Sequence, residues 1–193
     1  YSYLIMNTCL FFGTFNPIHN AHLRMADYVL KEFNFDKVLF VPAFIPPHKG
    51  VDIDAKHRLK MVRLAVKSRE RFEVSDIEFT LGETSYTYRT ILAFGGRYNF
   101  LIGTDAFEKI ETWFQIDELK KLLRFVVFKR DKNIDAAKFD YLRNKGFDFV
   151  FTSLDFCDIS STEIRNRVAE GASLKGFVPP EVEEYIYANE LYR

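Results

Sequence analysis

Short apolar runs alternate with amphipathic stretches along the chain. Cys9–Phe12, Lys37–Val41, Phe72–Val74, Asn99–Ile102, Phe125–Phe128 and Phe149–Thr152 are brief, rich in Phe and Val, and read as strands. Between them lie longer segments with apolar residues at helical spacing, as at Leu23, Ala26, Val29 and Leu30. Helices are expected at Ala21–Phe33, Ala55–Ser68, Ile116–Leu123, Thr162–Glu170 and Glu181–Asn189. This alternation predicts an α/β fold, a Rossmann-like, doubly wound parallel sheet with helices on both faces. Pro42 to Asp54, punctuated by Pro42, Pro46, Pro47 and Gly50, reads as a functional loop after the second strand. No repeat, low-complexity tract or long linker divides the 193 residues, so one domain spanning 1–193 is expected. Met6 reads as a native start and Tyr1 to Ile5 as an extension.

Composition narrows the function classes. A 48% hydrophobic content can build a sizeable core, and most of the 21 Phe belong there, leaving a few aromatics to stack on a base or a pyridine. Basic and acidic residues balance at 27 each, so no global field favours a polyanion or an anionic membrane, and nucleic acid is not an expected partner. No apolar run approaches the roughly 18 residues of a membrane helix, and the apolar N-terminus lacks a signal peptide's basic flank. Cys9 and Cys157 form neither a metal spacing nor a disulfide framework. A cytoplasmic protein is expected, with a homo-oligomer left open.

The densest chemistry lies in Gly13-Thr14-Phe15-Asn16-Pro17-Ile18-His19-Asn20-Ala21-His22, at a strand-to-helix turn. His19 and His22 stand three apart and can aim at one point near the positive end of a helix dipole, where a phosphate would sit. A surface histidine pair is the bland alternative, and a metal site lacks a convincing third ligand. Ser160-Ser161-Thr162-Glu163 opens a late helix as a capping box, and the hydroxyls with Arg165 also suit a polyphosphate. Gly103 ends the fourth strand beside Asp105, which either faces a ribose or caps the next helix. Trp113, the sole tryptophan, is either core or a stacking surface, and Lys49 either reaches a phosphate or is a solvated loop lysine. No catalytic triad, activated cysteine or isolated carboxylate pair can be argued from spacing. Transfer of a nucleotidyl group to an already ionised phosphate needs none of these: alignment and charge stabilisation suffice, with Mg²⁺.

Taken together these segments resemble the bacterial nicotinate-nucleotide adenylyltransferases of the nucleotidyltransferase superfamily, over nearly the whole chain from Leu10 to Arg193. The resemblance rests on Gly13 to His22, Ile45-Pro46-Pro47-His48-Lys49, Ser85-Tyr86-Thr87, Ile102-Gly103-Thr104-Asp105, Thr112-Trp113 and Ile159 to Arg165, in matching order, and on the close, Pro179 to Ile186 leading into Leu191-Tyr192-Arg193. It implies ATP and nicotinate mononucleotide as substrates, with Mg²⁺ carried by the ATP phosphates. Residue by residue, it implies His19, His22, Lys49 and Arg165 in catalysis. Gly13, Thr14, Phe15, Gly103, Asp105, Ile159, Ser161 and Thr162 would join His19, His22 and Arg165 around ATP. Lys49, Thr87, Trp113 and Phe114 would meet the mononucleotide. The chain has Ala21, Asn16 and Phe12 where the resembled pattern has Gly, usually Asp, and often Gly. A sister adenylyltransferase using nicotinamide mononucleotide or phosphopantetheine, and a non-catalytic nucleotide-binding regulator, are the alternatives.

Overall fold

Where the apolar runs fall, the computed structural model, which describes residues 5–47, 50–154 and 159–193, has six parallel strands. They are β1 (Ile5–Gly13), β2 (Lys37–Pro42), β3 (Phe72–Val74), β4 (Arg97–Gly103), β5 (Leu123–Phe128) and β6 (Asp148–Phe151), in the order β3-β2-β1-β4-β5-β6. Successive side chains of a strand point to opposite faces, and here both faces are covered. Cys9, Phe11, Phe40, Leu101, Val126 and Phe128 face one core, whereas Leu10, Phe100, Ile102, Phe125 and Val127 face the other.

The helices form where apolar spacing and end groups agree. Helix α1 (Asn20–Glu32) buries Leu23, Ala26, Val29 and Leu30 in the first core, so the spacing read from sequence is the packed stripe. Removing Leu23 and Val29 from water, at 1% and 0% exposure, stabilises the fold by about 1.5–3 kcal/mol each. Helix α2 (Ala55–Val66) starts at Asp54, whose carboxylate accepts the Lys56 N–H at 2.9 Å. Short helices α3 (Ile77–Leu81), α4 (Thr87–Phe94) and α5 (Thr104–Phe107) follow, then α6 (Ile116–Leu122) and α7 (Tyr141–Asn144). Helix α8 (Ser161–Ala169) is capped by Ser160, whose Oγ accepts the Glu163 N–H at 3.1 Å. Glu163 does not close the expected box; its carboxylate faces Arg167, 3.4 Å away. Helix α9 (Pro180–Ala188) begins on a proline, whose missing N–H is no loss in a first turn.

Differences from the sequence reading sit at element ends and in short pieces. Leu123 opens β5 instead of closing α6, and Thr152 lies beyond β6. Helices α3, α4, α5 and α7 were not expected; four to eight residues give barely two turns of periodicity to read, and α6, as short at seven residues, was the one such helix expected. Pro42 ends β2, and among its described residues the following loop carries one bridge, from Ile45 to Thr84. Ile5 belongs to β1. Among the described residues no helix is long and apolar enough to cross a membrane.

Candidate active site

The sheet order reverses between β1 and β4, and there the two strands part. Their pairing ends at Phe11↔Leu101, although β1 continues to Gly13 and β4 to Gly103. Such a split at the carboxyl edge is where open α/β sheets take ligands.

On the β1 side, Phe15 has a left-handed φ of 47° and turns its ring down onto Phe11, Phe40 and His22, leaving only its main chain toward the crevice. His19, 2% exposed, is the N-cap of α1, and its ring stacks on that of His22 with centroids 3.6 Å apart. The His19 main-chain N–H donates to His22 Nδ1 at 3.2 Å. That nitrogen therefore carries the lone pair, and the His22 proton sits on Nε2. Burial and the nearby Arg130 and Arg24 charges push His19 down to about 3. Burial, followed by His19 and Arg130, holds His22 well below the usual imidazole range. Both rings are neutral donors at pH 7. They line a pocket with Ala21, Met25, Lys129 and Arg130, with Phe11 and Phe128 at its base.

The loop from Gly13 to Pro17 is held from distant parts of the chain. Arg165 Nη1 donates to Asn16 O (2.8 Å), Ser161 Oγ to Pro17 O (2.9 Å) and Tyr192 OH to Asn16 Oδ1 (2.7 Å). Arg165 also touches Thr162 Oγ1 at 3.3 Å. From below, Arg58 Nη1 donates to Thr14 O at 2.8 Å.

On the β4 side, Gly103 leads into α5, and a Cβ there would lie 2.6 Å from Asp105 Oδ1 and 3.0 Å from Arg130 Nε. Asp105 does not cap α5, whose N-cap is Gly103; its carboxylate is 3.5 Å from Arg130 Nε. Farther along this wall, Trp113 meets Phe100 edge-on, and Phe114, 42% exposed, packs on Tyr86 and Tyr88 beside Thr87 at the start of α4. Arg89 lies over the rings of Tyr86 and Phe114. Among the described residues no group of three or more His, Cys, Asp or Glu side chains could hold a metal ion.

The cytidylyltransferase-like family model matches residues 10–167. A Clostridium botulinum (strain Loch Maree / Type A3) protein described as a probable nicotinate-nucleotide adenylyltransferase is 37% identical over 98% of this chain and 100% of its own. A protein of the same description from Caldicellulosiruptor saccharolyticus is 38% identical over 97% of this chain and 100% of its own. The chain belongs to the nicotinate-nucleotide adenylyltransferase family. Its fold is also that of a Plasmodium falciparum nicotinic acid mononucleotide adenylyltransferase solved with NaAD, at a TM-score of 0.77, 20% identity and 96% coverage of both chains. The same enzyme complexed with APC gives a TM-score of 0.72 at 19% identity, again covering 96% of both chains.

For a member of this family, the residues singled out from sequence fall in two groups around the crevice. Gly13, Thr14, Phe15, His19, His22, Ser161, Thr162 and Arg165 gather on the β1 side; Gly103, Asp105, Thr87, Trp113 and Phe114 belong to the β4 side. Ile159 is half-buried and packs against the first core. Lys49 lies outside the described residues. Sequence reasoning missed Arg58, Glu78 and Arg130, and it noted Tyr192 in the closing motif without a role. The available signal was an arginine within the apolar stripe of α2, between Ala55 and Leu59, and a glutamate in the apolar Ile77-Glu78-Phe79 run. Charged residues at such positions are fully buried only when partnered.

Proposed function

We infer that this protein transfers the adenylyl group of ATP to nicotinate mononucleotide, giving nicotinate adenine dinucleotide and pyrophosphate. The family assignment supports the reaction. The observation that carries the chemistry is the stacked, neutral His19–His22 pair at the start of α1, beside Arg130 in the crevice.

An oxygen of the mononucleotide phosphate attacks the α-phosphorus of ATP in line. One P–O bond forms, the bond to the bridging oxygen of the β-phosphate breaks, and pyrophosphate leaves with that electron pair. The attacking oxygen is already ionised at pH 7, so no general base is required. His22 Nε2–H donates to an α-phosphate oxygen, and His19 and Arg130 add donors where charge accumulates. The hydroxyl of Ser161 is committed to Pro17 O, so this residue meets the β- and γ-phosphates through its main-chain N–H in the first turn of α8. Thr162 and the remaining N–H groups of Arg165 complete that contact, and the family resemblance assigns Lys49 to the mononucleotide. Gly103, Asp105 and Ile159 face the adenosine. Mg²⁺ would be held by the phosphates of ATP and would supply positive charge to offset that of the leaving pyrophosphate. Trp113 stacks on the pyridine, and main-chain N–H groups near Thr87 and Phe114 hold the nicotinate carboxylate by charge-assisted bonds.

Pyrophosphate release, measured with ATP and a panel of acceptors, tests this directly. Nicotinate mononucleotide should exceed nicotinamide mononucleotide in kcat/KM by at least ~10²-fold, because the neutral amide sets its own NH₂ against a donor. Equal use of the two removes the acceptor assignment. Turnover only with phosphopantetheine, or with no acceptor, removes the reading itself.

A further inference from the structure

Beyond the paired residues Gly13 and Pro42, β1 and β2 separate, and one last main-chain bond, Ala43 N–H to Gly13 O at 2.9 Å, links them. Among the described residues the carbonyls of Thr14, Ala43 and Phe44, which follow on the two strands, accept no main-chain donor and are partly buried. Arg58 supplies the donors. Its side chain, 1% exposed, rises from α2 and spreads its fork under both loops: Nη1 donates to Thr14 O (2.8 Å) and Ala43 O (2.6 Å), and Nη2 to Phe44 O (3.0 Å). The Ala43–Phe44 peptide, whose oxygen Arg58 holds, is gripped from its other side as well. Its N–H donates to Ser85 Oγ at 2.9 Å and lies 3.2 Å from Glu78 Oε2, while Glu78 Oε1 accepts from Thr90 Oγ1 at 2.9 Å. Glu78 is itself 3% exposed.

A buried guanidinium and a buried carboxylate are a poor way to gain stability alone, since apolar residues of similar volume often do as well. What they give here is geometry. One rigid fork fixes the spacing between the loop that carries the phosphate-facing residues and the loop that follows β2.

We propose that Arg58 is a positioning residue for adenylyl transfer: by bonding Thr14, Ala43 and Phe44 together, it sets the phosphate loop and the loop after β2 in register, so that the attacking phosphate meets the α-phosphorus in line. This rests on the adenylyltransferase reading. Arg58 touches no substrate; it acts through the two loops, and Glu78 acts with it by holding Phe44.

The test compares Arg58→Lys with Glu78→Gln at a temperature where circular dichroism shows each variant folded. Lysine keeps the charge, but its donors radiate from one nitrogen and cannot span both loops. Arg58→Lys should lower kcat by about 10- to 100-fold, the scale of a small misalignment, while the KM for ATP moves by less than about threefold. Backbone amides at Thr14 to Asn16 and at Ala43 to Ile45 should exchange with deuterium faster, both loops together. A folded variant with kcat and both KM values within twofold of wild type overturns the proposal and makes Arg58 merely structural. Should Arg58→Lys fail to fold, Glu78→Gln decides by the same readouts, with a smaller fall in kcat expected and unchanged kinetics overturning. If the wild-type enzyme releases no pyrophosphate, the adenylyltransferase reading fails. The strap is then judged by exchange alone: joint loosening of the two loops supports it, and loosening of one loop or neither overturns it.

Discussion

A methyl group added at Gly13 and one added at Gly103 would meet different neighbours. At Gly13 the new carbon would lie 2.8–3.1 Å from ring atoms of Phe15, a ring locked among Phe11, Phe40 and His22. At Gly103 it would meet Asp105 Oδ1 at 2.6 Å, the end of a side chain that is 65% exposed, and then Arg130 Nε at 3.0 Å and Phe128 Cζ at 3.1 Å. One wall of the crevice is therefore a continuation of the core, set before any nucleotide arrives. The other is finished by charged and aromatic groups at the surface, free to adjust to the ligand. In adenylyl transfer the first wall suits the phosphates, whose geometry must not vary, and the second suits the nucleoside and pyridine ends.

The sharpest break of this contrast is at His22. If the fixed wall supplies a preset donor to the transition state, His22→Ala should lower kcat by about 10²–10³, or roughly 3–4 kcal/mol, with a smaller change in the KM for ATP. Steady-state kinetics on the folded variant check it; an unchanged kcat ends the assignment. Next come the glycines. Gly13→Ala should cost about 1–3 kcal/mol in denaturant unfolding, because the Phe15 ring has nowhere to go. Gly103→Ala should unfold nearly as wild type does but raise the KM for ATP, and equal stability losses would erase the difference between the walls.

A pH series sharpens the comparison further. His19 is pushed down to about 3 in the folded protein, so the unfolded chain, with an ordinary imidazole near 6.5, takes up the proton first. The stability contributed is complete above the unfolded value and is lost as pH falls from there toward 3. At pH 5 the loss from this one group is about 2 kcal/mol. His19→Asn, which keeps an N-cap side chain, should flatten the fall in Tm between pH 7 and pH 5; an identical slope refutes the burial argument. The smallest effect belongs to the adjustable wall. Trp113→Ala should raise the KM for the mononucleotide by about 2- to 10-fold, the worth of one aromatic stack, and leave that for ATP nearly unchanged.

What the chain disclosed before folding follows from which forces act locally. The six strands and helices α1, α2, α8 and α9 were readable because their burial repeats at the period of the element itself, as Leu23, Ala26, Val29 and Leu30 do along α1. The histidine pair was readable because three positions at a helix start is a local relation. Arg58 and Tyr192 were not, since each acts on carbonyls or an amide brought near only by the sheet. Arg165 and Ser161 were expected from sequence to meet phosphates, yet their bonds to Asn16 O and Pro17 O, as supports of the loop, were hidden for the same reason.

Those supports also bear on when the protein becomes able to hold a nucleotide. Ser161, Arg165 and Tyr192 reach the Gly13–Pro17 loop from 144, 149 and 176 positions along the chain. Contacts of such separation are entropically expensive and form late. During synthesis β1 and both histidines emerge well before their fasteners. A nascent chain that has completed β1, α1 and β2 thus carries the signature residues without a settled loop, and ATP affinity should arise only as α8 and α9 dock, near the close of folding.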